Sequence, residues 1–390
     1  MEERVLVSDV GRKVSSESAP KHRPTVYWYP SFRCNLACKH CWVNSSPGVD
    51  TSDDLSTDEL LLVTDQLIEL NASHVIMSGG EVLYRPDALL VIRKLMRANI
   101  LVSLETNGLL FSPQFIEVAH EAVERECPLG ISISLDGGTA SAHNFLRGKG
   151  TFERTVAGMN YLHRESIKFY AQCVVNARSI ESISPFVELM EGLYPSAVAI
   201  QFSFLNQVGR GVRLSKKYGM TTERFSEAFA EIARAKERFS GNVVIKVPPA
   251  MIPPGNYMNL FAGDKQAVGC TSCAFPTLGV LNDGSISICA LTLDNPTVSY
   301  GNIRQDRLID VWKKARFDAL RESYMNAELD GICGDCIFRH SCKGSCRAHA
   351  FEDYGDFRAP HPLCAQMEAR GEFPDVYRES IVAAAGSNAA

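Results

Sequence analysis

The sequence predicts an α/β fold: a partial (β/α)6 barrel of the TIM type, followed by a smaller cysteine-rich domain. Three observations lead there. Between residues 25 and 205, short β-rich runs alternate with amphipathic helical runs six times, the pattern of a parallel sheet. Glycines and polar residues punctuate the ends of those runs (SGGE, ETNG, SLDGG, VVN), where barrels of this kind gather their chemistry. The 13 cysteines are unevenly placed: three lie within residues 34–41, eight between 270 and 364, and only Cys127 and Cys173 stand alone.

The elements follow in order. PTVYWYPSF is the first strand and leads into the first cysteines. LSTDELLLVTDQLIEL reads as a helix, with Ser56 and Glu59 spaced for a capping box. HVIMSGG is the second strand, and PDALLVIRKLMRAN is a helix with Pro86 in its first turn. LVSLETNG, GISISLDGG, KFYAQCVVN and AVAIQFSF continue the series. After the long helix TTERFSEAFAEIARAKERF, prolines suggest a linker near residues 248–256, and one clear helix, LIDVWKKARFDALRES, follows. The boundaries expected are a mobile N-terminal tail over 1–24, the barrel over 25–247, the second domain over 248–375 and a C-terminal tail over 376–390.

Composition narrows the function. A chain of 390 residues with net charge −5 and no basic stripe broken by aromatics is a poor nucleic-acid binder. Its apolar runs are strand-sized, so no membrane span is expected, and the polar N-terminus carries no signal peptide; a cytoplasmic location follows. So many cysteines without secretion signals favour metal over disulfides. Cys127 and Cys173 read as small buried hydrophobes.

In CNLACKHC, Cys34, Cys38 and Cys41 fall within eight positions. Soft thiolates suit a four-iron cube, and three of them leave one iron open to chelate an amine and a carboxylate. The competing reading is a zinc knot with His40 as fourth ligand, although zinc sites favour two separated C-x2-C pairs. Ser78-Gly79-Gly80-Glu81 ends the second strand; its glycines permit close backbone approach, and Glu81 suits an ammonium group. Glu105-Thr106-Asn107-Gly108 ends the third strand and Ser134-Leu135-Asp136-Gly137 the fourth, with Arg147 placed beyond to reach a carboxylate; Asn176 and Gln201 are weaker candidates.

This ordered set resembles the radical S-adenosylmethionine (SAM) superfamily. The resemblance implies a 4Fe–4S cluster on Cys34, Cys38 and Cys41 whose open iron binds SAM, and reductive cleavage to a 5′-deoxyadenosyl radical. It also implies SAM contacts from Gly79, Gly80 and Glu81, with Thr106, Asn107, Ser134, Asp136 and Arg147 lining the SAM and substrate pocket. Val82 stands where the family usually has proline. The later cysteines, with YGNIRQDRLIDVWKKARF between them, resemble the SPASM domain and its two auxiliary 4Fe–4S clusters. One cluster would take Cys270, Cys273, Cys289 and Cys346, the other Cys333, Cys336, Cys342 and Cys364. Two structural zinc sites are the alternative for these pairs.

Such proteins most often modify peptides or proteins; others oxidise alcohols or antibiotic sugars, or act on tetrapyrroles. An oxidative peptide or protein maturase is the leading expectation, a small-molecule oxidoreductase the second. A non-catalytic electron carrier would have no use for the strand-end motifs. A reductant such as flavodoxin or ferredoxin is implied. With only about 30 residues before Cys34, a peptide substrate would come with a separate carrier protein or none. Ala290, directly after Cys289, stands where sulfatase-maturing relatives are expected to carry an acidic base.

Overall fold

The computed structural model of the protein describes residues 23–126, 129–261, 268–269, 277–292, 298–314 and 322–382. Cys127, Cys270, Cys273 and most of both expected tails lie outside them. Six parallel strands run in chain order: β1 (Thr25–Trp28), β2 (His74–Met77), β3 (Leu101–Thr106), β4 (Leu129–Ser134), β5 (Phe169–Val175) and β6 (Ala197–Phe204). β7 (Asn242–Lys246) and β8 (Val268–Gly269) extend the sheet beyond β6.

Alternation along each strand separates two faces. Val102, Leu104, Ile131, Ile133, Ala171, Cys173, Ile200 and Phe202 are buried with the core sides of the helices. The other face carries Ser103, Glu105, Ser132, Gln172, Gln201 and Lys246, several joined across strands. Ser78 donates to Glu105 at 2.6 Å, Gln201 to Gln172 at 2.8 Å, and Gln172 to Ser132. Cys173 is the small buried hydrophobe the sequence suggested.

Local signals hold where the residues involved are close in sequence. Ser56 and Glu59 form the reciprocal capping box at the start of helix Thr57–Glu69. The next helix, Ala88–Arg97, starts later than expected, with Pro86 ahead of it. Its N-terminal Asp87 makes no cap because Arg85 and Thr57 occupy the carboxylate at 2.7–2.8 Å. The proline-rich stretch is no open linker: Ala250, Met251 and Ile252 are buried, and Pro254 begins helix Pro254–Phe261. Of the expected longer helix, Leu308–Trp312 is helical, and so are its last residues, 322 and 323.

The cysteine-rich part does not stand apart from the barrel. β9 (Thr277–Val280) pairs in parallel with β1, and β10 (Ser285–Ser287) and β11 (Gly301–Asn302) follow antiparallel, so one eleven-stranded sheet crosses the expected boundary. Residues 376–382 also pack: Tyr377 is buried and donates to the Ile252 carbonyl at 3.0 Å, and Ser380 binds Asp335. Among the described residues, no helix is long and apolar enough to cross a membrane.

The half-buried His74 and the fully buried His143 make the fold acid-sensitive. Desolvation lowers His74 to about 4, and desolvation followed by the Arg147 charge lowers His143 to about 4. Both stay neutral in the native state, whereas the unfolded chain takes up their protons below about pH 6.5. Their contribution is complete above that value and is lost as pH falls from 6.5 toward 4. At pH 5 each should cost about 2 kcal/mol relative to pH 7. Denaturant unfolding at the two pH values should show His74→Gln losing less stability than the parent; equal losses would remove His74 from the account.

Candidate SAM and iron–sulfur centres

The loop after β1 carries Cys34, Cys38 and Cys41, packed with Leu36 and Leu109. Its backbone is held from outside: Cys34 N–H donates to the Ser46 carbonyl at 3.2 Å and Lys39 N–H to Leu146 at 2.8 Å. Arg210 donates to the carbonyls of Cys38 and Ser45, both at 2.7 Å. Nothing near the cysteines in sequence pointed to Arg210, 172 residues from Cys38.

Gly79 and Gly80 approach the chain leading into that loop. Gly79 has φ +122, and a Cβ there would stand 2.6 Å from the Ser31 carbonyl oxygen; at Gly80 it would stand 2.0 Å from that of Arg33. Only glycine permits this docking, which Gly80 N–H→Ser31 O and Glu81 N–H→Arg33 O complete. Glu81 is 2 % exposed, and its carboxylate accepts from Thr106 Oγ1 and Asn107 N–H at 2.8 Å and from Leu83 N–H at 3.3 Å. Burial raises its pKa, partly offset by those donors. Asn107 Nδ2 then donates to Asn35 Oδ1 at 2.8 Å, one residue from Cys34. Glu81, Thr106 and Asn107 thus form one chain of bonds ending at the cysteine loop.

Asp136 is fully buried and already partnered. It binds Arg147 Nε at 2.6 Å, stands 3.5 Å from His40 Nε2 and accepts from Val174 N–H at 3.0 Å, while its own N–H donates to His143. Desolvation works against its charge, but Arg147 and His40 prevail and its pKa is lowered. In this arrangement Asp136 and Arg147 face each other, and His40 faces Asp136. Ser134 is half-buried and adjoins Gln172 in register; Asn176 is buried, its N–H bonded to Ser179 Oγ.

The described later cysteines form two groups in space. Cys333, Cys336, Cys342 and Cys364 line one cavity, together with Gly344, His361 and Phe373. Cys289 and Cys346 pack in another small cluster with Tyr29, Phe32 and Trp42. Among the described residues no three ligating side chains converge as tightly as a single ion demands. The donor chemistry suits iron–sulfur clusters: all the buried ligands are thiols, and backbone N–H groups aim at sulfur, Leu36 at Cys34 (3.4 Å) and His361 at Cys333 (3.3 Å). Burial pushes Cys34 and Cys342 up to about 12 and Cys336 to about 11. As free thiols they are protonated and unreactive; a coordinated metal would deprotonate them. Side-chain nitrogens of Asn35 and His40 beside the first loop are buried without partners, room for a polar ligand's acceptors.

Residues 28–189 match the radical SAM superfamily, and residues 270–337 the iron–sulfur cluster-binding SPASM domain. An AdoMet-dependent heme synthase of Methanosarcina barkeri is 30% identical over 373 residues, covering 90% of this chain and 98% of that one. The mycofactocin maturase MftC of Mycobacterium ulcerans is 26% identical, over 87% of each chain. The crystal structure of Streptococcus suis SuiB bound to S-adenosylmethionine superposes with a TM-score of 0.66 at 15% identity, covering 88% of this chain and 77% of that one. The chain is a radical SAM superfamily enzyme with a SPASM domain.

Proposed function

We propose that the protein catalyses a SAM-dependent two-electron oxidation of a carboxylate-bearing organic substrate held on the polar inner face of the sheet. When bound, the cluster and SAM would supply a radical able to abstract hydrogen, the cofactor's own chemistry. The protein's part is to seat and shield. Cys34, Cys38 and Cys41 would hold the SAM-binding cluster, with Glu81, Thr106 and Asn107 bracing the loop. Glu105, Gln172, Gln201 and Lys246 offer donors and acceptors to the substrate. At the rim, Lys39 and Arg178 flank Phe145 at 4.4 and 4.1 Å, a cation–aromatic surface suited to a flat acid.

The observation carrying the oxidative reading is the placement of Trp42. It follows Cys41 directly, and it packs in the apolar group that contains Cys289 and Cys346. The SAM site and an auxiliary site thus share a wall, as an electron leaving the substrate region would need.

The substrate class proposed first is a tetrapyrrole, favoured by full-length similarity to the heme synthase. Peptide or protein maturation, the leading expectation from sequence, is the second reading, favoured by the maturase relative; a carrier protein belongs to that reading. Anaerobic turnover with SAM, a flavodoxin or ferredoxin reductant, and either a propionate-bearing iron porphyrin or candidate peptides tests both. One 5′-deoxyadenosine and one methionine per two-electron-oxidised product is expected. Products of unchanged oxidation level would sink the proposal.

A further inference from the structure

Two arginines lie buried among cysteines, and they differ in one respect. Arg147, whose charge reaches Cys38 and Cys34, is neutralised by Asp136. Arg347, 3 % exposed, has no carboxylate within ion-pair range among the described residues. Its guanidinium is held by carbonyl oxygens alone: Nη1 donates to Phe357 (3.0 Å) and Ala359 (2.6 Å), Nη2 to Gly344, and Nε is buried with no partner. Gly344, which lines the four-cysteine cavity, leaves it room: φ is +67 there, and a Cβ would stand 2.4 Å from the guanidinium carbon. Arg347 directly follows Cys346, and the Gly344 carbonyl that holds it belongs to the wall of the four-cysteine cavity, so it lies beside both auxiliary groups.

We propose that the Arg347 guanidinium is a fixed, uncompensated positive charge that raises the reduction potential of the iron–sulfur cluster held by Cys333, Cys336, Cys342 and Cys364. This rests on reading those cysteines as cluster ligands. A guanidinium stays protonated in a protein, and a buried one is poorly screened. Each electron added makes a thiolate-ligated cluster more negative, so a cation beside it stabilises the reduced form; net charge and surrounding dipoles set such potentials over a wide range. The three carbonyls orient the cation without cancelling it. An auxiliary cluster so biased accepts an electron more readily.

The test is a potentiometric titration followed by electron paramagnetic resonance. It uses the full-length, anaerobically reconstituted protein with Cys34, Cys38 and Cys41 replaced by Ala, so that only auxiliary signals remain. Arg347→Gln, which can still donate to the carbonyls, and Arg347→Met should each lower one auxiliary midpoint. The oxidised-to-reduced ratio at fixed potential should rise at least tenfold, about 59 mV for a one-electron couple. Arg347→Lys should stay within about threefold of the parent. A purely structural arginine would leave the potential unmoved. Unchanged midpoints at full iron content in the Gln or Met variant overturn the inference and leave the cluster assignment standing. A Lys variant displaced as far as the Gln variant overturns it too, because the charge is retained. Absence of auxiliary-cluster iron in the parent overturns the assignment itself, and the inference with it.

Discussion

Replacing Cys34, Cys38 and Cys41 together by Ala should abolish release of 5′-deoxyadenosine from SAM and leave the auxiliary clusters' spectra in place. The expectation follows from how the loop is built. Its path is set by backbone bonds to Ser46 and Leu146, by the two carbonyls that Arg210 binds, and by Gly79 and Gly80 docking against residues 31–33. None of these involves a thiol. Removing three sulfurs therefore deletes the ligands and leaves the loop. The four cysteines around the cavity lie at 333–364, in segments that share no backbone pairing with the loop, so their cluster should assemble regardless. Iron, sulfide and visible spectra measured on parent and variant, with nucleoside release followed by chromatography, decide the matter. Nucleoside from the variant, or loss of all its iron, would contradict the assignment.

Arg147→Met should be among the most destabilising single substitutions in the barrel. It strands Asp136, which has no exposed surface, with His40 at 3.5 Å and the Val174 amide as its remaining partners. Breaking a buried pair by removing one member typically costs about 3–5 kcal/mol. For a domain of this size that corresponds to a fall in melting temperature of roughly 10 °C. The double variant Asp136→Asn, Arg147→Met should recover much of the loss, because no buried charge is left. The sign with pH is also set. Asp136 has a lowered native pKa, so the pair's contribution is full above about pH 4 and is lost as pH falls below it. In Arg147→Met the stranded carboxylate should instead be relieved as pH falls, when it can protonate. Melting curves of the three proteins at pH 5 and 7 would show this. A double variant no more stable than Arg147→Met would refute the account.

Much of this molecule is legible in short stretches of chain. Six strands and their helices follow from periodicity, because the alternation of burial along a strand and the capping of Ser56 by Glu59 involve residues at most a few positions apart. The three cysteines of CNLACKHC and the glycines after β2 are likewise local patterns whose chemistry is plain from type and spacing. Asp136 was visible as a strand-end polar residue and Arg147 as a candidate beyond it, but nothing local showed that they would pair with each other. Similarly, the two glycines suggested an approach to a ligand, and the chain they approach is the backbone of residues 31–33.

The tertiary structure alone decided what lies far apart in sequence. It paired β9 with β1, and so made the cysteine-rich region continuous with the barrel. It set Pro248 and the buried Ala250 in the wall of the four-cysteine cavity. It brought Arg210 onto the cysteine loop and set Arg347 beside the cysteine cavity with no carboxylate in ion-pair range among the described residues. The physical reason is common to all of these. Hydrophobic period, caps and turn residues act over one or two turns of chain, whereas a buried charge is defined by what closes over it, and those groups come from beyond that reach: 10 and 12 residues away for two carbonyls on Arg347, 172 for the Cys38 carbonyl on Arg210.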